Sequence, residues 1–425
     1  MSRARVLAHY LRARRRRFAD REAVERWQRR RLRRVLRLAP SRYAFYREWG
    51  GRPLTELPVV DKAEVLAHFA ELNRRGLDLD TCLAAARAAE RGRDFGTELA
   101  GLSVGLSSGT SGRQTAFLTS AAERDRWAGE VLARALPDGL LAGARITLVL
   151  RAGGPLYAAV TGGRISFRFV DLALPLDRLL AEIRAGDPTV LVAPPSILVH
   201  AAALGLRPRQ VFSVAEVLDP EDERTISDGF GVRVGQIYQA AEGFLGISCQ
   251  HGTLHLNEDL LRFEREELGD GRWVPVVTDL VRDSQAVIRR RLGDVLVDGP
   301  ACTCGNPMRT VSAIVGRADD VLWLPAREGA GSRSFHPDFV RAAVLRTAGV
   351  LDFRLVQTAP DTVRLAVVPA ARFAAAAREL TADLDAAGIG AVRIEVGELT
   401  AQDPLVKRRR VTRAPGVPAG EASAR

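Results

Sequence analysis

Between residues 100 and 300 the chain alternates short β-branched apolar runs with amphipathic stretches, and this alternation constrains the fold more than any other feature. The runs fall at residues 146–150, 190–193, 211–214, 232–238 and 274–278. Helical patterns lie between several of them, as at residues 121–135 and 176–185. Strands separated by helices are joined by crossovers, which lay the helices on the faces of the sheet. The pattern therefore predicts an α/β fold with mixed or parallel sheets flanked by helices. In such sheets ligands bind in crevices at the carboxyl ends of strands, where loops such as residues 107–112 are expected.

The flanking regions read differently. Residues 1–50 are helical and charged, ending near Gly50-Gly51, and Pro58 and Asp61 mark a turn and a helix start within 52–100. Residues 1–100 thus form a helical part of a large domain whose core spans 101–316. Residues 317–411 read as a small C-terminal α+β domain. Its helices are expected at 337–347 and 371–386, and its strands at 353–357, 363–368 and 392–396. From Thr412 to Arg425 the composition of Ala, Gly, Pro and Ser predicts a disordered tail.

Composition narrows the class. A chain of 425 residues with 47% hydrophobic and 27% charged residues suits a globular protein of two or three domains. It holds no run of 18 apolar residues, so no membrane span is expected. Residues 1–17 are arginine-rich without an apolar segment, which makes the cytoplasm the expected location. Four cysteines do not make a disulfide framework, and Cys82 reads as a buried small apolar residue. The net charge of +11 is carried by arginine, in basic runs at 12–17, 29–34 and 407–410. Leu32, Val35 and Leu36 at helical spacing make the second run the solvated face of an amphipathic helix. No aromatic-interleaved RNA motif or zinc-finger spacing is present, so nucleic acid is not the expected partner.

Three features carry chemistry. Ser107, Ser108, Gly109, Thr110, Ser111 and Gly112 combine hydroxyls with glycines that let the backbone approach a ligand closely, a combination suited to phosphate oxygens. The stretch is not a Walker A loop, since no Gly-Lys-Ser/Thr follows, and Ser111 has no base that would make it a hydrolytic nucleophile. Lys62 and Lys407 are the only lysines. A site that needs a compact, mobile charge cannot take a planar guanidinium. Lys407 lies in a loop opened by Asp403-Pro404, whereas Lys62 is expected to cap or pair within the N-terminal helices. Finally, Cys249, His255, Cys302 and Cys304 have the ligand types of a closed Zn²⁺ site, with His251 the substitute for His255. The alternative is a set of unligated cysteines.

Taken together, four separated segments resemble the adenylate-forming superfamily, which includes the acyl-CoA synthetases. The resemblance is strongest to its phenylacetate-CoA ligase and coenzyme F390 synthetase-like branch, and it covers nearly the whole chain. It implies that residues 107–112 cradle the β- and γ-phosphates of ATP, with Arg113 and Gln114 standing where many relatives have Pro-Lys. Tyr238, Gln239, Ala240, Ala241 and Glu242 resemble the family's Tyr-Gly-x-Thr-Glu segment. By that resemblance Tyr238 and Gln239 lie at the adenine, Tyr238 stacking on it, and Glu242 ligates Mg²⁺. Ala241 replaces a threonine that would meet the α-phosphate. Ala215 and Glu216 resemble the preceding segment that contacts adenine. Asp294, in the stretch from Thr278 to Asp294, would accept both ribose hydroxyls. Gly316 to Asp320 resembles the interdomain hinge, with Arg317 at ribose or phosphate and Asp319 the pivot. Lys407 resembles the tail lysine that bridges the attacking carboxylate and the α-phosphate. Some relatives bind zinc at matching Cys and His positions.

The implied reaction joins ATP and a carboxylic acid into an acyl-adenylate and pyrophosphate, and then passes the acyl group to CoA or a carrier-protein thiol. Residues 151–157 and 193–196 would line the acid pocket, where Tyr157 and Phe244 suit an aromatic acid. A homodimer is compatible with this reading. Two other readings remain open at this point. One is ATP-dependent activation of another oxyanion such as nitrite. The other is a degenerate adenylation fold that binds nucleic acid or a protein partner through its positive charge.

Overall fold

The computed structural model describes residues 2–107, 114–151, 163–317, 320–328, 331–399 and 409–418. The chain divides into two compact units, Met1–Leu292 with Val297–Ala313, and Gly293–Leu296 with Ile314–Arg425. The sequence expectation had placed this boundary between residues 316 and 317.

The first unit opens with helices Arg3–Arg15 and Arg21–Arg42, the second capped by the Asp20 carboxylate, which accepts from the Ala23 amide at 2.7 Å. Asp61 and Asp78 cap helices Lys62–Ala67 and Leu79–Gly92 in the same way. Each short acceptor satisfies an amide that the first helical turn leaves orphaned. Lys62 is the first residue of its helix, and Cys82 is fully buried. Strands β1 (Glu98–Leu99), β2 (Leu102–Leu106) and β3 (Ala116–Ser120) form a small antiparallel sheet. Helix Ala121–Ala135 then starts at a capping box, in which Ser120 and Glu123 satisfy each other's amides. Gly129 lets this helix meet Arg3–Arg15 closely. A Cβ there would stand 2.6 Å from the His9 Cβ and 2.7 Å from the Val6 carbonyl.

The main sheet begins with β4 (Ala144–Leu150), β5 (Ile165–Asp171), β6 (Val190–Ala193), β7 (Gln210–Val214) and β8 (Val234–Ala240). These five run parallel in the order β5-β4-β6-β7-β8. Helices Leu176–Gly186, Pro195–Ala201 and Pro220–Phe230 make the crossovers, and Leu179, Ile183, Leu198, Ile226 and Phe230 pack with Val149, Leu191 and Val211 into one core. The sheet continues antiparallel from β8 to β9 (Gly243–Ser248) and β10 (Leu254–Leu256), and includes β11 (Leu261–Gly269), β12 (Arg272–Asp279), β13 (Arg290–Arg291), β14 (Asp294–Asp298) and β15 (Thr310–Arg317). The α/β class expected from the alternation is the fold observed. Among the described residues no helix is long and apolar enough to cross a membrane.

The second unit contains β16 (Leu322–Pro325) and β17 (Ser332–Phe335) as a hairpin. It also has a sheet in the order β20-β19-β18-β21, made of β18 (Asp352–Ala359), β19 (Thr362–Val368), β20 (Arg393–Val396) and β21 (Val411–Arg413). Helices Pro337–Leu345 and Phe373–Ala386 lie where periodicity put them and close a core around Val340, Leu355, Leu365 and Leu380. The tail expectation needs correction at its start. Thr412 and Arg413 lie in β21, where Thr412 pairs with Val356 and Arg413 with Gln357.

The basic runs are partly internal structure. Arg16 and Arg134 enclose Glu130 and Asp259, with Arg16–Glu130 at 2.9 Å, Arg134–Asp259 at 2.7 Å and Arg16 also on Asp259. Burial works to raise the Asp259 carboxyl, but Arg134 and Arg16 outweigh it and hold it below the usual range. Arg31 lies over the Trp27 ring at 4.2 Å. In the second unit Arg409 pairs with Asp320, and Arg410 with Asp352 at 3.0 Å.

Candidate functional site

Strands β6, β7 and β8 end side by side, and Ala215, Glu216, Tyr238, Gln239, Ala241 and Glu242 lie at or just beyond those ends. Val214 and Ile237 are register partners on β7 and β8, so the segments that follow them emerge side by side. After β7, Ala215 takes a left-handed φ of +71°, which costs an L-residue about 1 kcal/mol. The turn carries Glu216 to the first turn of helix Pro195–Ala201, where its Oε2 accepts from the Ser196 amide at 3.3 Å. β8 and β9 pair as a hairpin in which Ala240 faces Gly243, so Ala241 and Glu242 form its two-residue turn. Tyr238 is buried on β8, Gln239 beside it is exposed, and Glu242 is half-buried. Phe244 is buried on β9 with the Arg134 guanidinium 5.8 Å from its ring centre.

Glu242 also acts on a buried cation. Burial lowers the pKa of Arg290, and the Glu242 charge is the strongest influence opposing that. A hard carboxylate at the open edge of the sheet is the right donor type for Mg²⁺, while Ala241 contributes no hydroxyl. Glu242 therefore fits as one magnesium ligand.

Ser107 arrives from the small sheet and not, as the sequence suggested, from a strand of the parallel sheet. Ser107 and Thr115, at the ends of the antiparallel strands β2 and β3, are hydrogen-bonded to each other. The Ser107 amide donates to the Thr115 carbonyl at 2.8 Å, and the Thr115 amide and hydroxyl both donate to the Ser107 Oγ at 2.9 Å. Ser108, Gly109, Thr110, Ser111 and Gly112 lie outside the described residues.

Sequence reasoning passed over residues 281–285, which connect these parts. Arg282 Nη1 donates to the Ala241 carbonyl at 2.7 Å and Nη2 to the Leu118 carbonyl of β3 at 3.3 Å. The Asp283 and Ser284 amides donate to Glu123 Oε1 at 2.6 and 2.9 Å. Burial works to raise the Glu123 carboxyl, but Arg282 and the Asp283 and Ser120 amides outweigh it and lower its pKa. Gln285 Oε1 accepts from the Leu118 amide at 3.1 Å. No residue-type pattern marks such contacts, because most of them involve main-chain atoms.

Asp294 and Arg317 belong to the second unit. Gly293 makes room for the Arg317 guanidinium, since a Cβ there would stand 2.5 Å from Nη2. Asp319, Lys407 and Tyr157 lie outside the described residues.

The Cys/His set is assembled. One ligand atom from each of Cys249, His255, Cys302 and Cys304 lies within 4.8 Å of all the others. Cys249 and Cys302 sulfurs are 3.7 Å apart, and Cys304 Sγ is 3.4 Å from His255 Nε2. Thiolates bound to zinc at about 2.3 Å in a tetrahedron stand about 3.8 Å apart, so the spacing fits. His255 Nδ1 lies 3.2 Å from the Met308 carbonyl, which leaves Nε2 for the metal. His251 instead is exposed and pairs with Thr303 Oγ1 at 2.9 Å. The geometry favours His255.

No protein-family profile matches the chain, and no curated protein matches it in sequence. Solved structures do share its fold. A 2-hydroxyisobutyryl-CoA ligase in the postadenylation state, bound to 2-HIB-AMP, superposes with a TM-score of 0.63 at 20% identity over 93% of this chain and 89% of that one. The anthranilate CoA ligase AuaEII with anthranoyl-AMP gives 0.51 at 14% identity, over 73% of this chain and 66% of its own. The amide bond synthetase McbA from Marinactinospora thermotolerans gives 0.52 at 16% identity, over 72% and 67%. The chain has the fold of these ligases.

Proposed function

We propose that the chain is an adenylate-forming ligase, which uses ATP to convert a carboxylic acid into an acyl-adenylate and passes the acyl group to a thiol such as CoA. The observation that carries this reading is the shared edge at β6, β7 and β8. There Glu216 and the Ala241–Glu242 turn emerge together, with Arg282 joining that turn to the strand that returns from the 107–112 loop. The ligases of the same fold support it, two of them bound to acyl-adenylates.

In this reading Glu242 holds Mg²⁺, which when bound supplies positive charge to phosphate oxygens. The 107–112 loop offers amides and hydroxyls to the β- and γ-phosphates. The segments at Ala215–Glu216 and Tyr238–Gln239 receive the adenine, Asp294 accepts from the ribose hydroxyls, and Arg317 meets ribose or phosphate. Lys407 places a mobile ammonium between the attacking carboxylate and the α-phosphate. Catalysis is positioning and charge stabilisation, with no covalent enzyme intermediate. The Cys249, His255, Cys302 and Cys304 centre holds structural zinc, its four protein donors leaving no open position.

The test is product analysis. The full chain is incubated with ATP, Mg²⁺ and single acids from aryl, fatty and amino acid classes, with nitrite as a separate arm. Acid-dependent formation of AMP and an acyl-adenylate detected by mass spectrometry supports the proposal. Turnover with nitrite alone overturns carboxylate activation.

A further inference from the structure

Resting on the adenylation reading, we propose that Arg282 is a positioning residue that holds the Glu242 turn against the small sheet carrying the phosphate-binding loop. Its guanidinium is planar and presents donors at fixed angles, so it can fork between two carbonyls in a way that an ammonium cannot. One carbonyl belongs to Ala241, immediately before Glu242, and the other to Leu118 on the strand that leaves the loop.

The backbone around Arg282 is itself held on both sides. Asp279 Oδ1 accepts from the Val281 and Arg282 amides at 2.7 and 2.8 Å, while Arg126 Nη1 donates to the Val281 carbonyl at 2.6 Å. Glu123 takes the next two amides, and the Ser284 hydroxyl donates to the Leu118 carbonyl at 2.8 Å. The two carbonyls therefore depend on Arg282 unequally. Leu118 keeps Ser284 as a donor if Arg282 is removed. Ala241 loses its Arg282 donor, so of the two carbonyls the one before Glu242 is affected, while Glu123 and Asp279 also lose a neighbouring positive charge.

Losing a hydrogen bond from a charged donor weakens the group it holds by about tenfold. Arg282→Ala should therefore raise the Mg²⁺ concentration needed for half-maximal ATP–pyrophosphate exchange about tenfold. Arg282→Lys, which can reach one carbonyl but not both, should fall between Arg282→Ala and the unaltered chain. A residue that acts through Glu242 adds nothing once Glu242 is gone, so Arg282→Ala combined with Glu242→Gln should be no worse than Glu242→Gln alone. Additive losses in that double variant, or an unchanged Mg²⁺ dependence in Arg282→Ala, overturn the proposal.

Hydrogen exchange of the full chain without nucleotide gives a readout independent of activity. Faster exchange in the peptide covering residues 238–245 of Arg282→Ala is expected, and unchanged protection there overturns the clamp even in an active enzyme. If the turn loosens in the variant while the unaltered chain activates no acid, the adenylation reading fails and the clamp stands.

Discussion

With zinc held as proposed by Cys249, His255, Cys302 and Cys304, stripping it should loosen the first unit, and the chain connectivity sets the size of the effect. Cys249 and Cys302 lie 53 residues apart, and a metal held by the cluster would join the β9–β10 hairpin to the segment leading into β15. A cross-link over a loop of that length contributes about 4 kcal/mol through the entropy it removes from the unfolded chain. At about 2–3 °C per kcal/mol for a large unit, the thermal midpoint should fall by roughly 10 °C. The assay is calorimetry on the purified chain before and after dialysis against a chelator, with metal content measured in parallel. Cys304→Ser should lower the midpoint to a similar degree, and added zinc should restore the chelated protein but not the variant. Protein that purifies without metal and unfolds at the same temperature with or without zinc would refute the reasoning.

Further outcomes follow from the structure and, for Lys407, from the proposed reaction. Glu242→Gln should lower ATP-dependent turnover about a hundredfold, the loss typical of one preorganised electrostatic group, and near-normal turnover at ordinary Mg²⁺ would remove it from the site. Lys407→Ala should abolish adenylation while ATP binding by calorimetry persists, so unchanged pyrophosphate exchange would take that lysine out of the mechanism. Gly129→Ala should destabilise the chain by about 1–3 kcal/mol, read from urea unfolding, because its Cβ would press on His9 and on the Val6 carbonyl. Asp259 has a lowered pKa in the folded chain, so its contribution is complete above the ordinary carboxylate range and is lost as the pH falls through the folded value. The urea midpoint should therefore drop between about pH 5 and pH 3, with a shallower slope in Asp259→Asn, and a flat profile would contradict the ion network.

Periodicity made the core elements legible. The helical pattern at 121–135 became helix Ala121–Ala135, and the β-branched runs became β4, β6, β7, β8 and β12. β11 was not legible, because Arg262, Glu264, Arg265, Glu266 and Glu267 read as a solvated stretch. It is a strand because β12 pairs along its length and Arg289 and Arg291 meet Glu264 and Glu266. β21 likewise depends on a distant partner, β18, which local composition cannot report. At the Cys/His cluster the sequence already named Cys249, His255, Cys302 and Cys304, and the positions of Met308 and Thr303 favour His255 over its substitute His251. The family resemblance pointed to Glu242, whereas the residues that hold its turn came from the structure alone.

The most direct test of the central claim is ATP–pyrophosphate exchange by the full chain across a panel of aryl, fatty and amino acids, with nitrite included. The account predicts exchange that requires Mg²⁺ and a carboxylic acid and disappears in Lys407→Ala. Tight, salt-dependent nucleic-acid binding with no exchange for any acid would contradict it.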